Sequence, residues 1–236
     1  MTGNNKKEKY YVFLNIILCG ALWGIFEATV GYLLHSVSFG YSWMVWYPVA
    51  CFFMAAVYHK TKRASSIIYL GLFCSAVKML NLFLPGNVDR VINPAVSIVL
   101  ETLLMAAATL ALDRLSADKR ENPFVKALAV LAMNTGWRFA YILYLFFLVP
   151  GWMREISVIS SADKFISFFI IQKLVTSVII FIGYLLMAYL IKPLEIIERR
   201  ISVWRGAMSD HFTSLFMTGF TAFLLCMNIV LQFMLK

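Results

Sequence analysis

The apolar positions of this chain run in long blocks, broken by short clusters of charged and turn-forming residues. Seven blocks stand out: Tyr10–Leu34, Trp43–His59, Ser66–Leu84, Pro94–Leu112, Val125–Val149, Phe165–Leu190 and Thr213–Leu235. Each is near the about 20 residues that a helix needs to cross roughly 30 Å of hydrocarbon. The pattern therefore predicts an all-α polytopic membrane protein of about seven transmembrane helices. Residues 1–236 form a single integral membrane domain in this reading, with no room for a soluble catalytic domain. The punctuation agrees. Pro85-Gly86 closes the third block and Pro150-Gly151 the fifth, and Lys192-Pro193 ends the sixth. Asn93-Pro94 reads as an N-cap followed by proline at the first helical position of the fourth. Pro48 is expected to kink the second.

Composition narrows the class. Hydrophobic residues make up 61% of the chain and charged residues 14%, against about a quarter charged in soluble domains. Lys6, Lys7 and Lys9 resemble the basic start of a signal peptide. The apolar run behind them continues to Leu34, too long for such a segment, and no clear cleavage site closes it. It is expected to remain as the first helix.

The net charge of +9 reads as a topology signal, not as a nucleic-acid surface. Lys and Arg in the short loops fall 14 on one side and 4 on the other. The excess marks the cytoplasmic side. The expected location is the cell (inner) membrane, with the N-terminus cytoplasmic and the C-terminus outside. Tyr10 and Tyr11 then anchor the inner face, and Trp43, Trp46 and Trp152 the outer one. In the sixth loop, over residues 193–206, Leu194, Ile197, Ile201 and Trp204 recur at helical spacing between basic residues. This reads as an amphipathic helix on anionic lipid or a dock for a cytoplasmic partner.

The charges inside the blocks carry the functional question. Glu27, Lys78, Glu101, Arg138 and Lys173 each cost about 2.5–3.5 kcal/mol at a helix centre and therefore face the protein interior. At about 1.5 Å per residue, Arg138 falls near the midplane and the other four roughly 3–7 Å to its outer side. Helical spacing adds polar companions: Cys74, Ser75 and Asn81 with Lys78; Asn93 and Ser97 with Glu101; Asn134 and Tyr141 with Arg138; Gln172, Thr176 and Ser177 with Lys173. Two readings stand side by side. One is a packing network of ion pairs, such as Glu27 with Lys78 and Glu101 with Arg138. The other is an outward-facing solute pocket drawn from Glu27, Lys78, Asn81, Glu101, Asn134, Arg138, Gln172 and Lys173. Three cations against two anions favour an anionic solute in the second, with Lys173 the foremost candidate.

Enzyme chemistry has little support. Cys19, Cys51, Cys74 and Cys226 all fall inside blocks without CxxC spacing and read as buried hydrophobes. His35, His59 and His211 lie at block ends on different helices. No HExxH, GxSxG or Walker motif is present. No cofactor and no metal site is expected.

On the first helix Gly20, Gly24, Glu27 and Gly31 share a narrow stripe, where small residues let another helix approach closely. The small size, the cytoplasmic N-terminus, the spacing of Gly20, Gly24 and Ala28, and the polar residues near the outer face resemble the substrate-binding S component of energy-coupling factor transporters. The resemblance covers roughly residues 10–190. It implies a six-helix bundle that takes a small-molecule solute near the outer ends of its helices. It also implies that Gly20, Gly24 and Ala28 dock a transmembrane coupling subunit, which works with ATPases. The chain departs from that family in its seventh helix and in the acid beside the stripe, so the stripe is open to internal packing as well. The sequence thus leads to a solute-binding transport subunit, with a structural or assembly protein of the membrane as the alternative.

Overall fold

The computed structural model describes residues 2–36, 40–83, 88–186 and 210–234, and all regular structure among them is helical. The long helices are α1 (Thr2–Ser36), α2 (Trp43–Thr61), α3 (Ala64–Met79, continued by a 3-10 turn over Leu80–Phe83) and α4 (Asp89–Asp113). A short α5 (Ala117–Glu121) precedes α6 (Pro123–Phe147), and a short α7 (Gly151–Glu155) precedes α8 (Ala162–Leu186). The last is α9 (Asp210–Met234). The amphipathic segment expected over residues 193–206 lies outside the described residues.

Four stretches are long and apolar enough to cross a membrane: Lys9–Glu27, Ala64–Phe83, Asp89–Asp113 and Ala162–Leu186. The other three expected spans are also helical. α2 carries Trp43, Trp46, Tyr47, Tyr58, His59 and Lys60; α6 carries Lys126, Asn134, Trp137 and Arg138; and α9 contributes the shorter apolar stretch Leu215–Leu231. The outer surface suits lipid. Ile170, Leu174, Val178, Ile182 and Leu185 recur every three or four residues along α8 and are all exposed, a continuous apolar stripe that water would disfavour.

The caps refine the sequence reading. α4 starts at Asp89, a turn before Asn93, so Pro94 lies inside the helix. Asp89 favours the earlier start, because a carboxylate suits the positive end of the helix dipole. Asn93 is thus released from capping. The pattern expected there occurs instead at α6: the Asn122 side chain accepts from the Phe124 N–H at 2.8 Å, and Pro123 occupies the first turn. α2 runs through Pro48 to Thr61 and is closed by Lys62, whose φ of 53° is left-handed and whose N–H returns to the Tyr58 carbonyl.

Glycines set the closest approaches. α3 and α4 approach closely: a Cβ on Gly71 would lie 2.1 Å from Thr102 Oγ1. α4 also packs on α6, and α1 packs on α2, α3 and α9. α1 and α9 run parallel, since Tyr10 hydrogen-bonds Thr218 near one end and Gly24 meets Asn228 further along. Inside, Met54, Val57, Ile67, Leu70 and Ala106 are fully buried and tie α2, α3 and α4 into one core with Trp23 of α1 and Trp137 of α6.

Candidate functional site

The charges inside the apolar blocks divide into groups. Glu27 of α1 and Lys78 of α3 form an ion pair, Oε2 to Nζ, at 3.6 Å, each about four-fifths shielded from solvent. The small-residue stripe brings these helices together: a Cβ on Gly20 would lie 2.4 Å from the Phe73 ring of α3. Gly24, one turn on, faces α9, where a Cβ would come within 2.1 Å of Asn228 Nδ2. The proposed docking stripe is therefore filled at Gly20 and Gly24 by the chain's own helices. The side chain of Ala28 lies outside the described residues, as do those of Gly31 and His35.

Lys78→Met should strand the Glu27 carboxylate and cost about 1–3 kcal/mol. The exchange of both residues, Glu27→Lys with Lys78→Glu, should recover most of that loss. Thermal unfolding in detergent measures both, and an exchange no better than the single variant would exclude a specific pair.

Arg138 of α6 is the largest fully buried side chain, and its donors turn toward α8. Nε donates to Asn134 Oδ1 at 3.0 Å and Nη1 to the Phe168 carbonyl at 2.9 Å, while Nη2 reaches Thr176 Oγ1 at 3.5 Å. The guanidinium lies 4.7 Å from the Trp137 ring and 4.5 Å from that of Phe168, a favourable cation–π arrangement. Asn134 completes the network. Its amide faces the Lys173 carbonyl and the hydroxyls of Thr176 and Ser177 at 2.8–2.9 Å, and Trp137 Nε1 donates to its oxygen.

Glu101 of α4 is buried nearby. Among the described residues no ion pair within 4.0 Å joins it to Arg138, in contrast to the pairing weighed from the sequence. The guanidinium has satisfied itself with an amide, a carbonyl and two rings instead. Asn81 is buried in the 3-10 turn after α3. Lys173 stands apart. Its Nζ lies 5.1 Å from the Phe169 ring centroid, and among the described residues no acid lies within 4.0 Å of it.

The placing of Ser167 beside Gln172 has a local cause. Ser167–Gln172 is a π turn, in which the backbone bonding shifts from four residues to five. In an α-helix, positions five apart point about 140° away from each other; a π turn brings them to one side. Ser167 and Gln172 accordingly line the same cavity.

That cavity, about 510 Å³, opens at the end of the bundle where α6 passes into α7 and α8. Asn93 of α4 and Tyr141 of α6 wall it on one side. Ser167 and Gln172 of α8, with Asp163 and Lys164 in its first turn, wall it on another. Ile156, Ser157 and Val158, just after α7, complete the lining. Asn93 is fixed by the Tyr144 hydroxyl, which donates to its Oδ1 at 3.1 Å, and its backbone carbonyl accepts from Ser97 at 3.0 Å. Tyr141 packs on Phe168 at 5.9 Å and Trp137 at 6.3 Å. Tyr141 thus joins the cavity wall to the rings that cover Arg138.

Of the sequence-predicted site residues only Gln172 lines the cavity. Asn134 and Arg138 build the network beneath it, and Glu27 pairs with Lys78. The loop residues Ile156, Ser157 and Val158, together with Asp163, Lys164 and Ser167, were not singled out in the sequence. Their one signal was their place after Pro150-Gly151, where the chain leaves a helix. No known family model, curated protein or solved structure matches the chain.

Proposed function

We propose that this chain is a solute-binding subunit of a membrane transport system, similar to an energy-coupling factor S component, and that its solute enters the cavity between α4, α6 and α8. The observation that carries this reading is the cavity itself. It lies within the about 300–1,000 Å³ typical of small-molecule sites, and amides, hydroxyls and one phenol ring converge on it. The seven spans and the cytoplasmic N-terminus are part of the proposal. They rest on the 14 to 4 division of Lys and Arg, which puts the cavity at the outer face. Cysteines introduced at Lys62 and Ser160 should then react with a membrane-impermeant thiol reagent from opposite sides, with only the second labelled on intact cells. Labelling at position 62 from outside would invert the topology and the outward site with it.

Cavity binding has a direct test. Ser167→Trp fills the space from its wall. The variant should unfold within a few degrees of the parent yet lose any stabilisation that a small organic solute gives the parent. Equal stabilisation of both would move the solute site elsewhere. A second reading, a structural protein whose charges serve packing, draws on the Glu27–Lys78 pair and the Arg138 network. The two are compatible, since those groups lie outside the cavity lining.

A further inference from the structure

The charges at the cavity specify what kind of solute it takes, an inference that rests on the solute-binding reading above. None of the three intramembrane cations lines it. Lys78 is held by Glu27, Arg138 is enclosed by Asn134, Phe168 and Thr176, and Lys173 lies over Phe169. The cation excess that pointed to an anion is therefore absent from the cavity wall.

The ionisable lining is one acid and one base, Asp163 and Lys164. They are consecutive residues of one helix, and side chains at i and i+1 do not face each other. Accordingly no ion pair within 4.0 Å joins them among the described residues. Lys164 Nζ is steadied by the Ser160 hydroxyl at 3.0 Å, a neutral partner, and Asp163 has no cation within 4.0 Å among the described residues. A cavity edge with an unpaired carboxylate beside an unpaired ammonium is complementary to a molecule carrying both charges. Both residues are exposed, so discrimination at such an edge comes from matching each end of the ligand to its opposite charge.

We infer that the cavity binds a net-neutral zwitterion of amino-acid or betaine type. Its cationic end is held at Asp163 and its anionic end at Lys164. Its body lies against Tyr141, within reach of the Asn93 and Gln172 amides.

The test is a thermal-shift and calorimetric screen of the purified full chain against the protein amino acids and glycine betaine. Any amino acid that stabilises the protein is then compared with its N-acetyl derivative, which keeps only the negative charge, and its carboxamide, which keeps only the positive one. Each derivative should bind at least about tenfold more weakly than the parent. Asp163→Asn should weaken the parent compound about tenfold and leave the N-acetyl derivative unchanged. Lys164→Met should do the same to the parent and spare the carboxamide. Betaine has no such derivatives and is judged by the two variants alone, each of which should weaken it. Binding of a parent that survives both substitutions would overturn the assignment. So would stabilisation confined to simple anions such as phosphate or citrate, tested alongside, though the cavity would keep its role. If no compound of any charge class stabilises the protein, the solute-binding reading falls together with this one.

Discussion

Arg138→Met is expected to be among the most destabilising single substitutions in this protein, while Lys173→Met is expected to be nearly silent. Both remove a cation from an apolar block, and the sequence by itself does not say how either side chain is held. The structure does. Arg138 is 2% exposed and supplies donors to Asn134, the Phe168 carbonyl and Thr176. Its removal leaves a carbonyl and an amide oxygen short of donors in the buried interior. It also leaves buried Glu101 without the positive charge near it. Each buried polar group left without its partner costs about 1–3 kcal/mol, more where a charge is involved. Among the described residues the Lys173 ammonium has only the face of Phe169, and such a cation–π contact is worth about 0.5–1 kcal/mol near a surface. Thermal or denaturant unfolding in detergent would measure both. Similar effects for the two variants would mean that the Arg138 network is not the central fastening of α6 to α8. Arg138→Lys should recover little, because an ammonium cannot reproduce the planar fork that reaches Asn134 and Phe168 together.

Gly24→Leu is the second large effect. A single Cβ at this position already falls 2.1 Å from Nδ2 and 2.7 Å from Cγ of Asn228, a side chain with no exposed surface. Leucine adds three more carbons where the first does not fit. Asn228 would have to move out and α9 separate from α1, at the upper end of the about 1–3 kcal/mol that overpacking costs. The expected outcome is a lower melting temperature and easier proteolysis of the α9 segment, with α2, α3 and α4 still packed. The compensating variant Asn228→Ala should recover part of the loss in the Gly24→Ala background. If Gly24→Leu leaves the α9 segment as protected as in the parent, the internal packing of this stripe is wrong.

Several features were legible because they depend only on local chemistry. The apolar blocks gave the helices, since a helix satisfies its own backbone wherever it is placed. The small-residue stripe was legible as a close contact, and so was the Glu27–Lys78 partnership, because each is a matter of spacing on one helix and complementary charge on another. The identity of the neighbour was not. Gly24 meets α9, more than 200 residues away in sequence, and nothing in the stripe distinguishes a partner subunit from the chain's own last helix. The α8 polar residues show the limit most clearly. At uniform helical phase, Gln172, Lys173, Thr176 and Ser177 form one patch. The π turn over Ser167–Gln172 brings Ser167 round beside Gln172 at the cavity, while Thr176 and Ser177, in the α-helical stretch that follows, meet Asn134.

By itself, then, the sequence determined that the chain is helical and apolar enough for a membrane, and that its buried charges need partners. Those conclusions follow from hydration: a long apolar run and an intramembrane charge have fixed costs wherever they lie in the fold. Tertiary structure alone decided which charges are taken up by packing and which line the cavity. That choice depends on helix rotation, and rotation is set by side chains meeting across helices. Gly71 against Thr102, Gly24 against Asn228 and the Arg138 fork reaching Phe168 each fix one such rotation.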